Sequence, residues 1–134
     1  MKTRILLVED HPVTQEVMRQ ELEFLGYEVA VAGNGVQALE MAAALVPDLI
    51  VMDILMPQMD GMEAASKLRN HPGTREIPIL AATAKALSGD REQCLANGFD
   101  AYIAKPFTHR QLGAAIEQLL LSHRSNDPNR AKPA

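Results

Sequence analysis

Short apolar runs, separated by longer segments of mixed polarity, set the rhythm of this chain. Ile5-Leu6-Leu7-Val8 and Leu49-Ile50-Val51-Met52 are each too short for a helix and rich in branched side chains. Such runs predict strands buried on both faces. Ile79-Leu80-Ala81-Ala82-Thr83 and Ala101-Tyr102-Ile103-Ala104 predict two more. Pro78 precedes the first of these, where the start of a strand tolerates proline. Tyr27 to Ala32 alternates in polarity and predicts a strand nearer a sheet edge.

Helical spacing fills the intervals. Pro12 suits a first helical turn, and Val17, Met18, Leu22, Phe24 and Leu25 supply an apolar face before Gly26 stops the helix. Asn34-Gly35 turns into a second helix through Val36, Leu39 and Ala43, closed by Pro47. Asp60 with Glu63 forms a capping-box pattern for a third helix ending near Asn70, ahead of a His71-Pro72-Gly73 loop. Ser88 caps a fourth that stops at Asn97-Gly98. Thr108 with Gln111 caps the last, through Leu112, Ile116, Leu119 and Leu120. From about Ser125 the chain is polar and aperiodic, so a folded domain over 1–124 and a disordered tail over 125–134 are expected.

Strand followed by helix, five times over, predicts an α/β fold: a doubly wound, five-stranded parallel sheet of order 2-1-3-4-5, flavodoxin-like, with helices on both faces. Such sheets bind ligands outside the carboxyl ends of the strands, where the order reverses between strands 1 and 3.

Composition narrows the possibilities. At 134 residues, 47% hydrophobic and 22% charged, the chain supports one sizeable core and is expected to stand alone without a second folded domain or an output domain. A net charge of -4 argues against nucleic acid or an anionic membrane as partner. The one cysteine, Cys94, cannot form an internal disulfide, which fits a reducing, cytoplasmic setting. After Met1-Lys2-Thr3-Arg4 only four apolar residues follow before Glu9, too few for a signal peptide or a membrane span.

The polar residues are informative through their positions. Glu9 and Asp10 follow strand 1, Asp53 ends strand 3, Thr83 ends strand 4 and Lys105 follows strand 5. All lie at carboxyl ends, the ligand-binding edge of such a sheet. Carboxylates converging on one crevice repel, and a cation among them relieves the repulsion. Oxygen ligands without nearby His or Cys suit a hard ion such as Mg2+. Lys105 is a point charge on a long stem, suited to an anion, and Thr83 offers a hydroxyl donor. Together these groups describe a place to form and hold an acyl phosphate, with Asp53 as nucleophile.

These residues also carry a resemblance. Val8-Glu9-Asp10, Asp53 with Met56-Pro57 and Met59-Asp60-Gly61, Ala82-Thr83-Ala84, and Tyr102 with Lys105-Pro106 occur in the order found in response-regulator receiver domains of two-component signalling, over nearly all of residues 3 to 122. The resemblance implies that Asp53 accepts a phosphoryl group from a phosphohistidine on a histidine kinase or histidine phosphotransfer protein. It implies that Asp10, Asp53 and the Leu55 carbonyl hold Mg2+, with Glu9 reaching it through water. Thr83 and Tyr102 would be the switch pair, read by a downstream effector on the face of the fourth helix, fifth strand and last helix. The Lys105-Pro106 peptide would be cis. Glu9-Asp10-His11-Pro12-Val13 and Thr83-Ala84-Lys85-Ala86, with Gly89-Asp90-Arg91 and Cys94, are similar to receivers of hybrid histidine kinases. Leu55 and Lys85 occupy positions that in the family govern access of the hydrolytic water, which leaves the phosphoryl lifetime open.

Two other functions fit parts of the pattern. A small Mg2+-dependent aspartyl phosphohydrolase would want a second acid two residues after the nucleophile, where this chain has Leu55. A non-phosphorylated pseudo-receiver would lack Asp53, Thr83 or Lys105, and all three are present. His11, His71, His109 and His123 lack metal-site spacing and read as surface residues, although His11 could tune the adjacent acids.

Overall fold

The computed structural model describes residues 2–54, 61–83, 92, 96, 98–104 and 107–125, with 83 and 123–125 described by backbone alone. Five strands form one parallel sheet: β1 (Arg4–Val8), β2 (Glu28–Ala32), β3 (Leu49–Met52), β4 (Ile79–Thr83) and β5 (Ala101–Ala104). Their order is β2-β1-β3-β4-β5, as the alternation of strands and helices predicts. Four helices are delimited: α1 (Pro12–Phe24), α2 (Gly35–Leu45), α3 (Gly61–Arg69) and α4 (His109–Ser125). Of the helix expected from Ser88, the described residues are Glu92 and Ala96, both helical; the Asp60 cap, Leu55, Lys105-Pro106 and the tail from 126 onward lie outside the described residues.

Alternating side chains of the strands feed two cores. Leu6, Val8, Ile50, Met52, Ile79 and Ala81 meet α2 and α3 on one face. Ile5, Leu7, Leu49, Val51, Leu80 and Ala82 meet α1 and α4 on the other. All four residues of β3 are buried, which is why that strand reads as an unbroken apolar run rather than an alternating one.

Burial on the helices departs from the expected faces in two places. On α1, Met18 and Leu22 enter the core, but Val17 and Phe24 are exposed. Val17 and Phe24 are seven apart and share an angular position, about 100° round from Met18. On α2 the buried positions are Gly35, Ala38 and Ala42, while Val36 and Ala43 face outward. Small side chains let α2 lie close to the sheet, and α3 does the same through Gly61, Ala64 and Ala65.

Helix ends follow local chemistry. Thr108 and Gln111 form a reciprocal capping box: the Gln111 amide donates to Thr108 Oγ1 at 3.0 Å, and the Thr108 amide to Gln111 Oε1 at 2.9 Å. Asn34 caps α2 by accepting from the Gln37 amide at 2.8 Å. The outer side of α1 carries Arg19 between Glu16 and Glu23. Hydrogen bonds from Arg19 and Gln20 hold the Glu16 carboxyl below its ordinary range.

Helix α2 ends without a glycine. Its cap is Val46 at φ 45°, ψ 67°, and the Val46 amide donates to Ala42 at 2.9 Å. Pro47 disfavours the right-handed helical region for the residue before it, and Val46 ends the helix in a left-handed conformation that costs a branched residue about 1–2 kcal/mol. Its side chain is 59% exposed, so little packing is at stake. Val46→Asn should therefore stabilise the protein by about 1 kcal/mol, raising Tm by roughly 3 °C in a thermal melt. An unchanged or lower Tm would show that the strain is relieved elsewhere.

Candidate functional site

The carboxyl ends of β1 and β3 are held side by side by the sheet itself. The Asp53 amide donates to the Val8 carbonyl at 3.0 Å, and the Glu9 amide to the Ala32 carbonyl at 3.1 Å. The ladder thus runs one residue past each strand and delivers acids where the strand order reverses. Glu9, Asp10 and Asp53 each present a carboxylate oxygen, and the three oxygens lie within 4.8 Å of one another. Among the described residues this is the one group of three or more His, Cys, Asp or Glu side chains placed to share an ion. Its donor set is oxygen only, which suits a hard divalent cation.

Glu9 is 2% exposed. Its carboxylate accepts from the His11 amide at 3.1 Å, and Gln15 Nε2 donates to the Glu9 carbonyl at 2.8 Å. The imidazole of His11 accepts from the Thr14 amide at 3.4 Å and so caps α1. His11 therefore contributes to the site through the backbone that steers Glu9, with its ring on the first turn of α1. His71 and His109 are exposed and are not part of this group. Gln15 carries no signal in the sequence, because only the folded turn into α1 brings its amide to the Glu9 carbonyl.

Asp53 is backed by α3. The Gly61 amide donates to the Ile54 carbonyl at 2.8 Å, and a Cβ at Gly61 would stand 2.6 Å from the Asp53 carbonyl oxygen and 2.7 Å from Ile54 Cα. Both neighbours are backbone, so glycine is needed for this approach. Thr83 is the last residue of β4, and Tyr102 lies in β5, whose register pairs Ala81 with Tyr102 and Thr83 with Ala104. Tyr102 packs against the core on the α2 and α3 face. The structure thus brings Glu9, Asp10 and Asp53 together and sets Thr83 at the same end of the sheet, while Leu55 and Lys105 lie outside the described residues.

A five-stranded parallel sheet of order 2-1-3-4-5 with clustered acids at its switch point defines a receiver. Residues 5–117 match the response regulator receiver domain family, and the chain belongs to it. It is 39% identical over 131 residues to the response regulator MprA of Mycobacterium ulcerans, covering 98% of this chain and 56% of that one. Against MprA of Mycobacterium leprae the identity is 40% over 124 residues, 92% of this chain and 54% of the relative. The chain thus spans about half the length of these curated relatives. Among solved structures it is similar to the receiver domain of the sensor histidine kinase PA1611 from Pseudomonas aeruginosa, with 41% identity and a TM-score of 0.83, covering 90% of this chain and 98% of that one. That structure has a magnesium ion coordinated in its active site cleft. A CheY-like receiver domain protein from Methanospirillum hungatei gives a TM-score of 0.86 at 29% identity, covering 95% of this chain and all of the other. No helix among the described residues is long and apolar enough to cross a membrane.

The contact at Gly61 is directly testable. Gly61→Ala forces a methyl group into the Asp53-Ile54 backbone and should destabilise the protein by about 1–3 kcal/mol, read as a lower urea midpoint at unchanged slope. A midpoint equal to that of the parent would mean that α3 can withdraw from Asp53 at no cost.

Proposed function

We propose that this chain is the phosphoacceptor of a two-component system or phosphorelay and that Asp53 carries the phosphoryl group. The observation supporting this most directly is the convergence of Glu9, Asp10 and Asp53 at the β1/β3 switch point. In the step envisaged, a carboxylate oxygen of Asp53 attacks phosphorus, the bond to a partner's phosphohistidine nitrogen breaks, and the imidazole leaves with its electron pair. Asp10, Asp53 and the Leu55 carbonyl would hold Mg2+, with Glu9 reaching it through water. When bound, that ion neutralises charge on the phosphoryl oxygens. Lys105 supplies the second cation, and the Thr83 hydroxyl donates to a phosphoryl oxygen. The chain catalyses only its own phosphotransfer and slow dephosphorylation.

The donor on this reading is a histidine kinase or histidine phosphotransfer protein. Thr83 and Tyr102 form the switch, and an effector reads the face around β5 and α4. A charge-assisted hydrogen bond contributes about 1.5–3 kcal/mol. Reversing a 1:99 equilibrium to 99:1 needs about 5.5 kcal/mol, so this bond shifts the population in part and partner binding completes the shift.

Incubation with acetyl phosphate and Mg2+ should add one phosphoryl group by intact mass. Asp53→Asn or chelation of Mg2+ should abolish it, and Lys105→Ala should weaken signalling. Full labelling of Asp53→Asn would place the acceptor elsewhere.

For the switch, Thr83→Ala should leave Asp53 reactive but uncouple the β5 and α4 amides from it. NMR with and without beryllofluoride reads this, and unchanged shifts on that face would assign the coupling to another route.

A further inference from the structure

Helix α3 is pinned at both ends. At its start, Gly61 sits against the Asp53-Ile54 backbone. At its last residue, the Arg69 guanidinium spreads over a junction on the opposite edge of the sheet. Nε donates to the Gly98 carbonyl at 2.8 Å, Nη1 to the carbonyls of Arg75 at 2.7 Å and Ile77 at 2.6 Å, and Nη2 pairs with the Asp100 carboxylate. Asp100 in turn accepts from the Ile79 amide at 2.8 Å, and its own amide donates back to the Ile79 carbonyl at 2.8 Å. Arg69 therefore ties the start of β4 to the residue immediately before β5. Gly98 is shaped to receive it: φ is +105°, and a Cβ there would lie 2.8 Å from Arg69 Cγ.

The pairing of Asp100 with Ile79 sets the register in which Ala81 meets Tyr102, two residues into the strand pair. Tyr102 also packs on the same side of the sheet as α3, in the core that holds Ala65, Leu68, Ile77 and Phe99. We infer that α3 is a strut linking the backbone of Asp53 to the base of β5, and that Arg69 is a positioning residue for Tyr102. A nine-residue helix with both termini fixed moves as a body, so displacement at Gly61 reaches Arg69 without help from Thr83. This second line into β5 rests on the proposed role of Asp53.

Lysine cannot replace this arginine, because one ammonium cannot span the four acceptors that the planar fork reaches. The test is the full chain with Mg2+ and beryllofluoride, followed by amide NMR in the parent, Arg69→Lys and Asp100→Asn. In the parent, amides of Gly61 to Ala64 and of Asp100 to Ile103 should both shift. In either variant the first set should shift as before while the second shrinks about twofold or more. A purely structural role would scale both sets alike or neither, and either result overturns the inference. If Arg69→Lys fails to fold, Asp100→Asn alone decides, since it keeps an acceptor for the Ile79 amide and removes the ion pair. A parent silent at Gly61 to Ala64 would refute the reading of Asp53 itself and this inference with it. A responsive parent with undiminished shifts at Asp100 to Ile103 in the variants would refute only the strut.

Discussion

Burial of β1 and β3 on both faces is the constraint on which the rest of the structure depends. From Ile5 to Val8 and from Leu49 to Met52 their side chains go alternately into two separate cores, and the one charge in these strands, Arg4, stands at the open start of β1. An ionised group buried without a partner costs several kcal/mol. Charged chemistry can therefore enter the middle of this sheet only at the strand ends. At the carboxyl end, α1 and α3 leave toward opposite faces, and a crevice opens between them where Glu9, Asp10 and Asp53 gather. Their mutual repulsion follows from the topology, and a cation placed among them would relieve it.

The same architecture explains how the crevice is kept in shape. Glu9 is fixed from α1, by the His11 amide and by Gln15, and Asp53 is fixed by the ladder to Val8 and the close approach of Gly61. Glu9 and Asp53 are thus each held by the segment that follows their own strand, and Asp53 by the neighbouring strand as well. Helices with small buried residues make this possible, because Gly35, Ala38, Ala42, Ala64 and Ala65 bring α2 and α3 close to the sheet.

Much of this architecture is legible in the order of residues. The strands of the inner sheet are short apolar runs rich in branched residues, and their length, four or five residues, separates them from buried helices. The cap at Thr108 and Gln111 and the stop at Gly26, with φ +98°, are local chemistry and fall where the residue types place them. Which helical residues face inward is less legible. Val17, Phe24 and Val36 are more apolar than Ala38 or Ala42, yet the alanines are buried, because the distance between helix and sheet selects size as well as polarity. The acids of the site can be read because they end strands. Arg69 cannot, since its partners Gly98 and Asp100 are 29 and 31 residues away and nothing local distinguishes it from any arginine in a last helical turn.

The central place of β1 also affects how the chain comes off the ribosome. Ile5 pairs with Leu49, so at about 5–20 residues per second the strand waits roughly 2–9 s for that neighbour to be made. During that interval its β3-facing edge offers unpaired backbone groups on an apolar tetrapeptide, the kind of segment that nascent chains bury in one another or in a chaperone. The arrangement that gathers the acids at one edge in the finished protein thus leaves the newborn chain vulnerable along the strand that leads into them.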